Sequence, residues 1–97
     1  MRKIVILPLA VQDLEDVVEY LSQFYENTAL RQYDRIIEKV NTLLDFPEMC
    51  EVYEPEKYRL TYRKLVVDDY LVFYALTGQE VQIHRILHGS RDIKRYL

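Results

Sequence analysis

Apolar positions change spacing three times along the chain, and each change marks a structural element. Lys3–Leu7 is a short β-branched run and predicts a first strand. Pro8 closes it and suits the first turn of a helix, where its missing N–H costs nothing. Ala10, Leu14, Val17, Val18, Leu21, Phe24 and Tyr25 then recur at spacings of three and four, with Asp13, Glu15, Asp16 and Glu19 between them. That pattern predicts an amphipathic helix with its acids toward the N-terminal half, the end at which the helix dipole favours negative charge. Glu26-Asn27-Thr28 interrupts it, and Asn27 or Thr28 is placed to cap a second helix. Leu30, Tyr33, Ile36, Ile37, Val40, Leu43 and Leu44 define that helix, expected to stop near Phe46 because Pro47 disfavours helical geometry before it. So short a link predicts an antiparallel helical hairpin.

Glu48–Thr61 has no period and reads as a surface connection, with a short strand or turn near Val52-Tyr53. Beyond it the pattern becomes that of strands. Tyr62–Val67 and Tyr70–Leu76 are apolar runs separated only by Asp68-Asp69, a two-residue link that favours a hairpin. Thr77-Gly78-Gln79 predicts the next turn, with Gly78 free to take positive φ, and Val81–His88 returns as a third strand. Gly89-Ser90 ends that strand, and Ser90 is placed to cap a last helical turn over Arg91–Leu97. The expected order is β-α-α-β-β-β, an α+β fold in a single domain, 1–97, with an antiparallel meander covered on one face by the helical hairpin.

Composition narrows the class. The 97 residues are 49% hydrophobic and 30% charged, with only two glycines and three prolines, as expected of a globular chain rather than a disordered one. No apolar run approaches the roughly 18 residues of a membrane span. The N-terminal MRKIVILPLAVQDLEDVV turns acidic too soon for a signal peptide and lacks a small-residue cleavage site. Cys50 is the single cysteine, so no intramolecular disulfide forms and a cytoplasmic setting is expected. The net charge of −3 divides unevenly: residues 1–56 carry five Lys/Arg against twelve Asp/Glu, and residues 57–97 carry eight against four. The basic excess falls on the meander and tail, where RNA, DNA or an acidic protein would find it.

Nucleotide loops, zinc spacings and nucleophile elbows are absent from the sequence. Two histidines and one cysteine do not make a transition-metal site, so no metal or other cofactor is expected. Cys50 lies in an acidic stretch that disfavours its thiolate.

The stretch YRKLVVDDYLVFY followed by IHRILHGSRD resembles the C-terminal half of the RelE/ParE superfamily of bacterial toxins. The resemblance rests on Tyr62-Arg63 opening one strand, the Phe73-Tyr74 run in the next, and Arg85, Leu87, His88 and Gly89 ending the last. It implies the toxin component of a type II toxin–antitoxin system. It also implies a cognate antitoxin whose partly disordered segment folds across the helices and sheet. Promoter DNA would be met only through that antitoxin, no membrane is involved, and a homodimer or hetero-oligomer is compatible with the family.

The resemblance implies one of two targets. The RelE-like branch cuts messenger RNA on the ribosome, without metal, by attack of a 2′-hydroxyl on the adjacent phosphate. Such chemistry needs a proton acceptor, a proton donor and cations for the extra phosphoryl charge. Arg63 matches the family's second-strand arginine and Arg85 its last-strand arginine, with His88 the candidate acid–base group because histidine titrates near neutrality. Lys64 and His84 are secondary candidates. In a regular strand, however, Val81, Ile83, Arg85 and Leu87 share one face and His84 and His88 the other, so Arg85 and His88 meet only across a twist or bulge. Tyr62, Tyr70 and Tyr74 are expected in the core or an interface rather than as base-stacking platforms. The connection before Tyr62 holds only Lys57 and Arg59 among its glutamates, whereas RNases of this group carry several lysines there. The long helical hairpin and the strand end look more like ParE, whose members poison DNA gyrase by binding. A gyrase-directed, non-enzymatic toxin is the preferred expectation, with the ribosome-dependent RNase and an inactive antitoxin-binding relative as alternatives.

Overall fold

A computed structural model describes residues 1–53 and 61–97. The elements are β1 (Lys3–Ile6), α1 (Pro8–Ser22), α2 (Glu26–Asn41), β2 (Val52–Tyr53), β3 (Tyr62–Val67), β4 (Tyr70–Leu76) and β5 (Glu80–His88). Short 3-10 turns follow α2 at Thr42–Leu44 and close the chain at Ile93–Arg95. The five strands form one sheet in the order β1-β5-β4-β3-β2. β1 pairs with β5 in parallel and every other neighbour is antiparallel, so the sheet is mixed and the expected meander is its centre. The glutamate-rich connection is described only as far as Tyr53; Glu54, Glu56, Lys57 and Arg59 lie outside the described residues.

Local chemistry explains the boundaries. Leu7 is extended (φ −72°, ψ 158°), as a residue before proline must be, and Pro8 opens α1. The acids of α1 begin at Asp13, so its first turn carries none. Neither Asn27 nor Thr28 caps α2. Tyr25 holds that position in extended geometry, and its carbonyl accepts the Thr28 and Ala29 amides. α2 gives way to the 3-10 turn after Asn41, ahead of Pro47. Ser90 does not cap the tail either: Asp92 precedes the last turn without a side-chain cap, and Ser90 engages His88 instead. Positive φ occurs at Asp68 (55°) rather than Gly78. Asp tolerates the left-handed region that a two-residue hairpin demands, and the Asp68 carboxylate is held by Arg35 Nε at 2.7 Å and Nη2 at 2.9 Å.

The core lies between the helical hairpin and one sheet face. Ala10, Leu14 and Val17 of α1, Ile36 and Val40 of α2, and Leu43 meet Leu65, Val67, Tyr70, Val72 and Tyr74 from β3 and β4. β5 contributes Val81, Ile83 and Ile86. Each large side chain buried there stabilises the fold by about 1.5–3 kcal/mol. The Tyr74 hydroxyl donates to Pro47 O at 2.8 Å, and burial followed by the Cys50 thiol beside it pushes the phenol well above its ordinary range. On the other face Phe73 is fully buried, with Tyr53 5.2 Å away. The hairpin does not bury its whole predicted stripe: Phe24 and Tyr25 stay 61% and 73% exposed, and Leu30 and Tyr33 are exposed as well.

Candidate functional site

β5 continues well past the point where β1 leaves it, from Ile83 to His88. β1 pairs with β5 only as far as Ile6 opposite Ile83, because Pro8 turns the chain into α1. The strand edge beyond would expose an unpaired backbone N–H, and a carboxylate from α1 takes the missing strand's place. Asp13 Oδ2 accepts the Ile86 N–H at 2.9 Å. The same carboxylate is gripped by Arg85, with Nε to Oδ2 at 2.8 Å and Nη2 to Oδ1 at 2.9 Å. The remaining Arg85 nitrogen, Nη1, donates to Tyr96 O at 3.1 Å. Asp13 raises the Arg85 guanidinium above its ordinary value through this hydrogen bonding, so the cation is permanent.

A bulge makes the arrangement possible. Phe73 pairs with Arg85 and Tyr74 with Ile83, so His84 is the extra residue on β5. It reverses the facing of every residue after it. Ile86 joins Val81 and Ile83 in the core, where uninterrupted alternation would have placed Leu87. Arg85 and His88 both follow the bulge and keep opposite facings, yet they line one cleft of about 600 Å³ at the end of β5, where Arg85 meets Asp13 of α1. α1 supplies Asp16 and Tyr20 to its wall, β4 supplies Tyr70, and the tail supplies Arg91, Arg95 and Tyr96. Burial, then Asp69 and Tyr20, raise the Tyr70 phenol. The Arg85 and Arg91 guanidiniums both lie over the Tyr96 ring, at 5.4 and 5.5 Å from its centre, and Arg91 Nη1 donates to its hydroxyl at 2.9 Å.

His88 sits at the mouth, edge-on to Tyr70 at 5.3 Å. Its Nδ1 accepts the Ser90 N–H at 3.1 Å and lies 2.7 Å from Ser90 Oγ. With that lone pair engaged, the neutral ring turns an Nε2–H donor outward and offers no free acceptor. That polarity does not suit a general base.

The remaining candidates are elsewhere. Arg63 stands opposite Tyr74, which in turn stands opposite Ile83, so it is two strands from β5. Its Nη1 donates to Glu48 O at 3.1 Å and Cys50 O at 2.8 Å, pinning the loop before β2. Lys64 points to the opposite face and pairs with Glu51 at 3.0 Å. His84 shares that face, with Nδ1 3.4 Å from the Tyr62 hydroxyl and Nε2 3.2 Å from Gln82 Oε1. Burial holds its pKa below the ordinary histidine value. Tyr70 and Tyr74 are core residues, and Tyr62 packs edge-on to His84 at 5.1 Å. The fold thus brings Arg85 and His88 together and leaves Arg63, Lys64 and His84 apart from them. Among the described residues, no group of three or more His, Cys, Asp or Glu side chains could hold a metal ion.

Sequence pattern places Asp13 on the polar surface of α1, yet it is the one buried charged residue among those described. The signal that could have found it is position: three residues after Ala10 and four before Val17, it falls on the apolar stripe. Tyr96 carries no comparable signal, because its packing depends on arginines that only the folded chain gathers around it.

The family described as ParE toxin of type II toxin-antitoxin system, parDE, matches residues 4–93. The chain belongs to the ParE toxin family. Among solved structures, this ParE-family chain is similar to one titled "Chromosomal ParDE TA system from P. aeruginosa". The TM-score is 0.74 and the identity 21%, over 91% of this chain and 95% of that one, a likeness that extends to the fold. No curated protein matches the sequence. Among the described residues, no helix is long and apolar enough to cross a membrane.

Proposed function

We propose that this ParE-family chain is a toxin neutralised by a cognate antitoxin, and that it acts in the cytoplasm by binding and inhibiting DNA gyrase without catalysing a reaction. The observation that carries this reading is the engagement of the candidate catalytic groups. Arg63 is bonded to two loop carbonyls, Arg85 to a buried carboxylate, and His88 Nδ1 to Ser90. A metal-independent RNase needs an unoccupied base and cations free to meet phosphate. A binding toxin needs only surface. The exposed Phe24, Tyr25, Leu30 and Tyr33 of the helical hairpin suit the apolar face of an antitoxin segment that orders on docking, with promoter contacts left to the antitoxin.

The RelE-like alternative keeps one favourable observation, the meeting of Arg85 and His88 in a single cleft. Inducible expression in bacteria separates the readings, with wild type, Arg63→Ala and His88→Ala in parallel and both DNA damage and mRNA integrity measured. An SOS response with intact mRNA, suppressed by a resistant gyrase and retained in His88→Ala, is the expected result. Prompt mRNA cleavage at ribosome-occupied codons, lost in either folded variant, would establish the RNase. Neither phenotype would leave an antitoxin-binding relative without toxicity.

A further inference from the structure

From Asp45 to Tyr53 the chain repeats one pattern of exposure: an exposed acid, an exposed apolar residue, then a half-buried one. Asp45, Glu48 and Glu51 are the acids. Phe46, Met49 and Val52 follow them, 62%, 54% and 45% exposed. The third position of each triplet turns toward the fold, where Cys50 packs on the core and Tyr53 lies beside Phe73.

The backbone of this segment is held from below. Pro47 O accepts from the fully buried Tyr74 hydroxyl at 2.8 Å, and Glu48 O and Cys50 O accept from Arg63. Glu51 O accepts the Lys64 N–H at 3.1 Å, and the Met49 N–H closes a turn onto Phe46 O at 3.3 Å. A loop that only leads from α2 into the sheet needs no such hold. Nor does it gain by keeping Phe46 and Met49 in water, where both forgo burial. Apolar side chains on a fixed backbone suit a partner's pocket, because the segment has little freedom left to lose on docking.

Charge narrows the kind of partner. Two cations touch the segment: Lys64 pairs with Glu51 at 3.0 Å, and Arg63 is turned to carbonyls rather than carboxylates. The Asp45 and Glu48 carboxylates, next to Phe46 and Met49 in the chain, have no hydrogen-bond or ion-pair partner among the described residues. Open carboxylates beside the apolar residues repel phosphate, which disfavours nucleic acid. They complement an apolar protein pocket with lysine or arginine at its rim. Position separates this patch from the aromatic end of the hairpin. Phe24 and Tyr25 precede α2 and this segment follows it, and a helix of 16 residues is about 24 Å long.

We infer that the Asp45–Val52 segment is the contact between this toxin and its protein target, with Phe46 and Met49 entering an apolar pocket whose basic rim meets Asp45 and Glu48. The inference rests on the binding-toxin reading above, in which the target is gyrase, and deepens it by naming the surface and its chemistry. Purified gyrase and antitoxin are each titrated with wild type, Phe46→Ala/Met49→Ala, Glu48→Lys, and Leu9→Ala, an exposed apolar control on α1. Growth inhibition on expression is scored for the same four, and circular dichroism checks their folding. The double variant should bind gyrase about tenfold or more weakly and lose growth inhibition, while keeping its antitoxin affinity. Glu48→Lys leaves both apolar side chains in place and should weaken gyrase binding most at low salt; it carries the test alone if the double variant does not fold. The control should match wild type throughout. Wild-type gyrase affinity in the variants, or an equal loss of antitoxin affinity by a folded variant, would overturn the inference. If wild type does not bind gyrase, the gyrase reading falls and growth decides. Inhibition lost in the folded double variant but kept in the control then leaves the segment as the contact with another protein target. Inhibition retained in that variant, or absent from wild type, overturns the inference as well.

Discussion

Two arginines that look equivalent in the sequence do different physical work. Arg63 and Arg85 each sit on a strand and each donates to the backbone of a distant segment. Among the described residues, Arg63 meets only neutral carbonyls, Glu48 O and Cys50 O, on a surface loop. Arg85 meets an ionised carboxylate in a nearly closed environment, where the Asp13 side chain is 9% exposed and that of Arg85 16%. Removing a donor from a solvated carbonyl lets water replace it. Removing the counterion of a buried carboxylate leaves a charge that water cannot reach. One arginine therefore secures a loop, and the other secures the joint between α1, β5 and the tail.

The largest expected effect comes from that difference. Arg85→Ala should destabilise the fold by about 2–4 kcal/mol, somewhat under the range for fully enclosed pairs because Arg85 keeps some solvent contact. Urea denaturation measures it, and Asp13→Ala should cost a similar amount because it also orphans the Ile86 N–H. A loss no greater than that of a surface substitution would remove the distinction between the two arginines.

Arg63→Ala should cost less, about 1–1.5 kcal/mol. Its signature is local: amide exchange should quicken around Glu48–Cys50 while the β5 end keeps its protection. Uniform quickening across the sheet would mean that Arg63 carries more than its loop.

The smaller effects depend on pH. His84 is held below its ordinary pKa by burial, so the unfolded chain binds its proton more readily than the folded one. Its share of stability is complete above the ordinary value, about 6.5, and is lost as pH falls through the depressed value. An NMR titration of the His84 ring should place its midpoint below that of a model histidine, and His84→Gln should flatten this part of the stability profile.

Asp68 is lowered chiefly by its hydrogen bond to Arg35, and has the same sign. Stability from this exposed pair is present above the ordinary carboxylate value, about 4, and fades as pH drops through the lowered one. The effect should be the smallest of the set and should shrink in high salt, because both partners face solvent. Thermal melts of Asp68→Asn at low and high salt check it. Asn also tolerates the left-handed turn, so only the charge is removed.

Most of the fold is legible in the sequence. The change from spacings of three and four to apolar runs bounded by turn residues places both helices and the three long strands, since burial on one face imposes each element's period. Caps are less legible. Asn27, Thr28 and Ser90 are good capping residues, yet Tyr25 and Asp92 hold those positions. Where a helix starts depends on how its apolar face meets the core, which outweighs a single capping hydrogen bond. Gly78 is the natural site for positive φ, but the tight hairpin places that geometry at Asp68.

The site divides in the same way. Arg85 and His88 are visible as residue types at the end of a strand, and alternation alone puts them on opposite faces. Only the tertiary structure could join them, because Arg85 pairs with Asp13 of α1 at a strand edge left bare where β1 ends, and no residue type records that meeting. Asp13 shows the same limit from the other side. The sequence determined that an acid falls on the apolar stripe of α1, but its partner is 72 positions away, at a strand edge that is bare only because Pro8 ended β1. Local pattern fixes which residues share an element. Which charges meet is settled by long-range pairing, since only burial together makes each costly without the other.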